Sequence, residues 1–482
     1  MKIEVVSKES IRPSSPTPDG VKTYNLSHFD QLLPPIYVPL LLYYSNLDSN
    51  EGSLNNDEDD NNMVFSASSR YRCDVLKKSL AETLTRYYPL AGRIKDEKSV
   101  ECNDEEVSQI IQVAGYVNID VMEPLLPFEP YGEPGSTFGL GLDLNSKGLL
   151  KIQVNVFDCG GIVICAYFIH KIADAASFVN FVNDWAATAR ATGDGCTHSD
   201  DEKPCYILSS LFPPISDSFE SNHTTKQIKH ETKNTNIRIV TKRFVFMDFN
   251  IAKLKKICIH DVNDHNQELH KQQLPTRFEA LTSLIWKCFM DVNHRSKARQ
   301  EHDADSSDAD SAPKLMQYGV SISVNLRTRM IPLLPANTFG NMGDVAIAQV
   351  SHDLSGNNLY YPELVSKVKD AIKLINTDHV AALKSKDAIS NMQKMKQKFA
   401  RNGDDHESTV MLQFTSWSRS PVYEADFGWG KPIWASGSRI PIENMVMFMD
   451  TSLGDGIEAW VSLKHEDMVE FECHEELVTF AS

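Results

Sequence analysis

The stretch from residue 150 to residue 185 constrains the fold more than any other part of the chain. Residues 151–157 alternate, with Ile152, Val154 and Val156 set against Gln153 and Asn155, the period-2 pattern of a strand with one apolar face. Asp158-Cys159-Gly160-Gly161 reads as a turn. Residues 162–169 are then almost wholly apolar, which suits a strand covered on both faces. A helix follows from about Ala173, with Phe178, Phe181, Val182 and Trp185 along one side. A doubly covered strand feeding an amphipathic helix requires sheet and helix layers in one core, so the class is α/β.

The rest of the chain repeats this mixture. Leu76, Leu80, Leu84 and Tyr87 recur at helical spacing, and Pro89 stops that helix. Thr276-Arg277-Phe278-Glu279 fits a capping box ahead of the apolar run to Trp286. Residues 318–326 read as a strand. Leu364, Val365, Val368 and Ile372 mark a helix after Pro362, and residues 444–450 and 456–463 form a hairpin closed near Gly454. Polar stretches at 45–62, 259–273 and 296–313 read as insertions. A longer one at 193–235 reads as an interdomain crossover, since it far exceeds ordinary loops. With 482 residues the chain is long enough for two cores. The expected division is an N-terminal domain over 1–192, a crossover over 193–235 and a C-terminal domain over 236–482.

A formal net charge of -17 argues against nucleic acid and against adsorption to an anionic membrane. The nine cysteines include no C-x-x-C pair, so buried thiols in a reducing compartment are expected rather than a zinc site or a disulfide framework. The N-terminus has no signal-peptide pattern and no apolar run is long enough to span a bilayer, which together point to the cytoplasm.

Two constellations could carry chemistry. In His170-Lys171-Ile172-Ala173-Asp174 the histidine ends the buried strand and a helix starts just beyond. A neutral imidazole held there can take a proton from a hydroxyl, and Asp174 can fix the turn that aims it. On pattern alone, the commoner reading of such a histidine is a hydrogen-bonded structural residue. In Asp426-Phe427-Gly428-Trp429-Gly430, the glycines imply tight backbone contact or positive φ. Asp426 is readable as an acid or, more commonly, as half of an ion pair holding a loop. No nucleophile-elbow, phosphate-loop or zinc-protease motif is present. His260, His265 and His270 lack ligand spacing, and Asp303, Asp305, Asp308 and Asp310 lack the Gly and Glu of a calcium loop, so no metal is expected.

Taken together, H-x-x-x-D and a D-F-G-W-G about 250 residues later resemble the plant BAHD acyltransferases. Further segments are similar in the same order: Tyr88–Arg93, Phe278–Thr282 with Trp286, Val324–Arg327, Phe339-Gly340-Asn341 and Gly456–Trp460. The form His-Lys-Ile-Ala-Asp and the start Ile11–Pro18 resemble the vinorine synthase-like branch of alkaloid O-acetyltransferases. Many members have Gly after the motif's Asp, where this chain has Ala175. Positions 338–342 read Thr-Phe-Gly-Asn-Met, which departs from the Y-F-G-N-C of anthocyanin malonyltransferases.

The resemblance implies two chloramphenicol-acetyltransferase-like α/β domains, each a mixed sheet with helices, and an active-site channel at their interface. It implies His170 as general base, with Asp174 orienting the site and Asp426 in a supporting, structural role. Thr415, Ser416 and Trp417 are the candidate oxyanion donors, and Thr276 and Arg277 the candidate contacts to coenzyme A. Arg327 is the candidate partner of one aspartate, with Gly428 and Gly430 structural. Acetyl-CoA or another acyl-CoA is implied as co-substrate, with no tightly bound cofactor and no metal. A small-molecule alcohol is implied as acceptor, and the enzyme is expected to be a monomer. The rival readings are a non-catalytic ligand-binding protein of this fold and a His170-dependent thioester hydrolase.

Overall fold

A computed structural model describes residues 4–46, 67–104, 108–114, 148–157, 159–194, 203–215, 238–259, 274–303, 316–352, 360–385, 409–437, 440 and 442–482. The four polar stretches lie largely outside these, as do His260, His265, His270, Asp305, Asp308 and Asp310. The chain divides into two compact units. The first comprises Met1–Thr235, Pro335–Met342 and Ser420–Arg439, and the second Asn236–Leu334, Gly343–Arg419 and Ile440–Ser482. This differs from one cut in the sequence: the D-F-G-W-G segment, expected in a C-terminal domain over 236–482, belongs to the first unit. The cause is strand pairing. Trp434–Ser436 hydrogen-bonds antiparallel to Tyr37–Tyr44 and carries its flanking loop to that sheet.

The first unit holds a six-stranded mixed sheet ordered Glu4–Ile11, Ser108–Ala114, Leu150–Val156, Ile162–Ile169, Tyr37–Tyr44 and Trp434–Ser436. Ile162–Ile169 is buried throughout, as its apolar sequence requires. Leu150–Val156 departs from the half-buried expectation, for Gln153 and Asn155 are as buried as their apolar neighbours. The Gln153 amide donates to Asn155 Oδ1 at 2.6 Å, and the Asn155 amide donates to Val163 O at 3.4 Å. Alternation therefore marked the faces of this strand but not their exposure. Helices Ala67–Arg86 and Ala175–Asp194 pack together, and the Trp185 indole N–H donates to Ser79 Oγ at 3.0 Å. Phe178, Phe181 and Trp185 are buried, each stabilising the core by roughly 1.5–3 kcal/mol.

The second unit holds another six-stranded mixed sheet, ordered Gly343–His352, Met316–Asn325, Val410–Ser416, Met445–Asp450, Gly456–Lys464 and Ile239–Met247. The hairpin of Met445–Asp450 with Gly456–Lys464 pairs as its sequence implies. Helix Arg277–Asp303 starts in the expected capping box: Glu279 N–H donates to Thr276 Oγ1 at 3.2 Å, and Thr276 N–H to Glu279 Oε2 at 2.8 Å. Tyr361–Leu374, with Pro362 in its first turn, packs on that helix and on Gly343–His352. Among the described residues, no helix is long and apolar enough to cross a membrane.

Candidate active site

His170 stands where the buried strand stops. Tyr37 and Ile169 form the last pair of the ladder, and the His170 N–H donates to Ile36 O at 2.8 Å. The side chain is partly exposed. A turn follows, closed by Ile172 N–H to Ile169 O at 3.2 Å, and the helix begins at Ala175. Asp174 is the cap of that helix: its Oδ1 accepts from Ser177 N–H at 3.0 Å, satisfying a first-turn donor. Its Oδ2 accepts from Met342 N–H at 3.0 Å. One carboxylate thus ties the turn after His170 to a segment about 170 residues away.

That segment, Thr338–Met342, is fastened at several points. Ser177 Oγ bonds the Gly340 backbone on both sides, accepting from its N–H at 3.1 Å and donating to its carbonyl at 2.9 Å. Gly340 has φ +120°, and a Cβ there would meet Leu208 Cδ1 at 2.9 Å, so only glycine fits. Next to it, Asn341 is buried and lies against the catalytic candidate, its Oδ1 3.2 Å from His170 Nδ1. The Asn341 amide nitrogen donates to the His170 carbonyl at 2.8 Å and to Asp30 Oδ1 at 2.8 Å.

Asp30 is fully buried. Its Oδ1 also accepts from Asn341 N–H at 2.8 Å, while its Oδ2 accepts from Ser27 N–H and Ser27 Oγ, each at 2.7 Å. Burial pushes its carboxyl up to about 6, against the lowering effect of the Ser27 and Asn341 hydrogen bonds. The sequence reading gave neither Asn341 nor Asp30 a role. The available signal was the Phe339-Gly340-Asn341 segment, which carried a resemblance but no chemistry.

Asp426 braces its own loop. Its Oδ1 accepts from Gly428 N–H and Gly430 N–H, both at 2.9 Å. The Arg190 guanidinium donates to the Asp426 backbone carbonyl. Among the described residues, the carboxylate meets two backbone donors where an ion pair was expected. Gly428 and Gly430 have φ +106° and +95°, the positive values that their motif implied. Between them Trp429 stacks on Phe427 at 5.7 Å, and Phe427 meets Trp185 edge-on at 4.9 Å. Tyr44 Oη donates to Ala425 O at 2.7 Å.

The remaining candidates belong to the second unit. Thr415 and Ser416 end the strand Val410–Ser416. Trp417 N–H donates to Phe448 O at 2.8 Å, and Ser416 Oγ accepts from Ser418 N–H at 3.2 Å. Arg277 lies 3.3 Å from Asp248, which with Glu279 sets two carboxylates at the start of the long helix. Arg327 is buried in the 3-10 turn Arg327–Arg329. Among the described residues, no cluster of metal-ligating side chains occurs.

The chain is similar to known proteins over nearly its whole length. The crystal structure of vinorine synthase superposes with a TM-score of 0.72 and 28% identity, covering 100% of this chain and 99% of that one. That of F. sporotrichioides TRI101 complexed with coenzyme A and T-2 matches with a TM-score of 0.64 at 15% identity, over 95% of this chain and 99% of that one, a likeness of fold alone. The stemmadenine O-acetyltransferase of Catharanthus roseus is 33% identical over 477 residues, 97% of this chain and 95% of its own length. The limonoid 21-O-acetyltransferase of Melia azedarach is 31% identical over 502 residues, 100% of this chain and 99% of its own length.

The class is the two-domain chloramphenicol-acetyltransferase-like fold of the acyltransferases. A model described as the Transferase family matches residues 1–478, and the chain belongs to this family, the BAHD acyltransferases.

Proposed function

We propose that this chain is an acyl-CoA-dependent O-acyltransferase moving an acetyl group from acetyl-CoA to a hydroxyl of a plant specialised metabolite such as an alkaloid. The observation that carries the reading is the placement of His170 at a rigid strand end, partly exposed, with Nδ1 already engaged by Asn341 at 3.2 Å. That leaves Nε2 for substrate. The names of the full-length relatives support the donor and the acceptor class.

The steps follow from acyl transfer. His170 Nε2 removes the acceptor's proton as its oxygen attacks the thioester carbonyl. The resulting oxyanion needs preplaced donors, and the hydroxyls of Thr415 and Ser416 with the Trp417 indole are the proposed ones. Collapse breaks the C–S bond, and His170 returns the proton to the leaving thiolate. No acyl-enzyme forms. Asp174 holds the turn, with Arg327 proposed as a partner of one of the two aspartates. Asp426, Gly428 and Gly430 hold the loop remote from the chemistry. For Arg277 to reach a phosphate of coenzyme A it must release Asp248. Such an exposed pair contributes only about 0–1 kcal/mol, so the exchange costs little. The monomeric state, the cytoplasmic location and the absence of nucleic-acid or membrane partners belong to the same proposal, resting on composition and charge.

The test offers acetyl-CoA with a panel of alkaloid, terpenoid, naphthoquinone and sugar alcohols, reading thiol release and acetylated product by mass. Product should form with some alcohol, and His170→Ala should lower turnover by about 10²–10⁴-fold while the protein stays folded. Activity within threefold of wild type in that variant removes His170 from the mechanism. Thiol release that is indifferent to every alcohol assigns a hydrolase instead, and no thiol release assigns a binding protein.

A further inference from the structure

We infer that Asn341 and Asp30 are positioning residues for His170, holding the imidazole proton on Nδ1 so that Nε2 is the bare, basic nitrogen. The inference rests on the general-base reading above and adds the tautomer and the residues that set it.

The argument is one of donors and acceptors. A side-chain amide can be turned either way about its last bond, and the surrounding network decides which. One end of the Asn341 amide lies 2.8 Å from the His170 carbonyl oxygen and 2.8 Å from Asp30 Oδ1. Both are acceptors, so this end must be the NH2 group; the reverse would aim a carbonyl oxygen at two oxygens. The other end is then the oxygen, an acceptor only, 3.2 Å from His170 Nδ1. Nδ1 must therefore donate. A neutral imidazole has one N–H, so Nε2 carries the lone pair.

The amide in turn is held by Asp30. That carboxylate receives Ser27 N–H, Ser27 Oγ, Asn341 N–H and the Asn341 amide, two donors on each oxygen. It is fully buried inside a capping box, so it has no freedom to swing away. The loop itself is fastened elsewhere, through Asp174 to Met342 N–H and Ser177 to Gly340. The Asn341 side chain is thus not needed to place its own backbone, and its span from Asp30 to the ring is a function of the amide alone. Asp30 acts only through Asn341, and neither residue touches the reacting atoms.

The experiment is a tautomer measurement on the full chain that needs no acceptor. Protein labelled with 15N-histidine is studied by two-bond 1H–15N correlation at a pH where His170 is neutral, and the His170 signals are identified by their loss in His170→Ala. The wild type should show the Nδ1–H pattern, and Asn341→Ala should move it toward Nε2–H or an average of the two. An Nε2–H pattern in the wild type, or an unchanged pattern in Asn341→Ala, overturns the inference. If Asn341→Ala does not fold, Asn341→Ser replaces it, and the wild-type spectrum alone remains able to refute.

With acetyl-CoA and the alcohol panel, Asn341→Ala should lower kcat by about 10²-fold. This is less than the ~10⁴ known where a charged orienting group is lost and the tautomer reverses. KM for acetyl-CoA should stay unchanged. In the His170→Ala background the same substitution should have no further effect on residual turnover, since the two act as a unit. An equal loss in both backgrounds marks a merely structural role and overturns the inference. Wild-type turnover in His170→Ala overturns the base reading itself, and the spectrum separates that failure from this one.

Discussion

Replacing Asp426 by asparagine separates bracing from chemistry. The Asp426 Oδ1 accepts from Gly428 and Gly430 N–H, both at 2.9 Å, across a loop whose glycines have φ +106° and +95°. Asparagine keeps an oxygen at that position but removes the charge. Hydrogen bonds to a charged acceptor contribute about 1.5–3 kcal/mol and neutral ones about 0.5–1.5, so the loss is about 1 kcal/mol per bond and about 2 kcal/mol in all. For a unit of this size about 1 kcal/mol corresponds to roughly 2–4 °C, so the lowest melting transition should fall by about 4–8 °C. Breaking a buried ion pair would cost more, about 3–5 kcal/mol. The assay is a calorimetric melt of purified wild type and Asp426→Asn, with turnover measured on the soluble fraction. Activity should fall with folded protein and should still depend on His170. A stable, soluble, inactive variant refutes the bracing argument and gives Asp426 a direct catalytic role. A loss near the ion-pair range refutes the partner assignment, pointing to a cation at the carboxylate.

The remaining expectations are simpler to check. Burial raises Asp30 to about 6, above the 3.8 of a free carboxyl. Its protonated form therefore contributes stability fully present below about 3.8 and lost as pH rises through about 6. Relative to the non-titrating Asp30→Asn, the wild type should lose about 2–3 kcal/mol between about pH 4 and pH 7. A stability difference that stays flat in denaturant titrations across that range refutes the burial argument. Prolonged chelation should leave transferase activity unchanged, because no ligand cluster has metal-site spacing in the sequence. Loss restored by one added divalent ion would show that a site was missed.

Much of the candidate site was legible because its signals are local. An unbroken apolar run, a histidine at its end and an aspartate four residues on encode a strand, a stop and a helix cap within about ten positions. The capping box at Thr276 and the positive φ of Gly428 and Gly430 were readable for the same reason. Where the reading went astray, the missing information was a partner. Gln153 and Asn155 looked solvent-facing because polarity is visible in a sequence and the packing that buries it is not. Asp426 looked like half of an ion pair because a carboxylate suggests a cation, whereas backbone N–H groups leave no mark in the sequence.

The sequence by itself determined the α/β class, the rigid strand end that presents His170, and the family. Tertiary structure alone decided which side chains meet that histidine. Asn341 and Asp30 come from positions 311 residues apart, and no periodicity relates them. It also decided that Trp434–Ser436 pairs with Tyr37–Tyr44 and brings the D-F-G-W-G loop into the first unit. The physical reason is common to both. Local conformation follows from sterics and hydrophobic period within a few residues, whereas the choice of a hydrogen-bond partner is settled only when the whole chain has folded and every buried donor must find an acceptor.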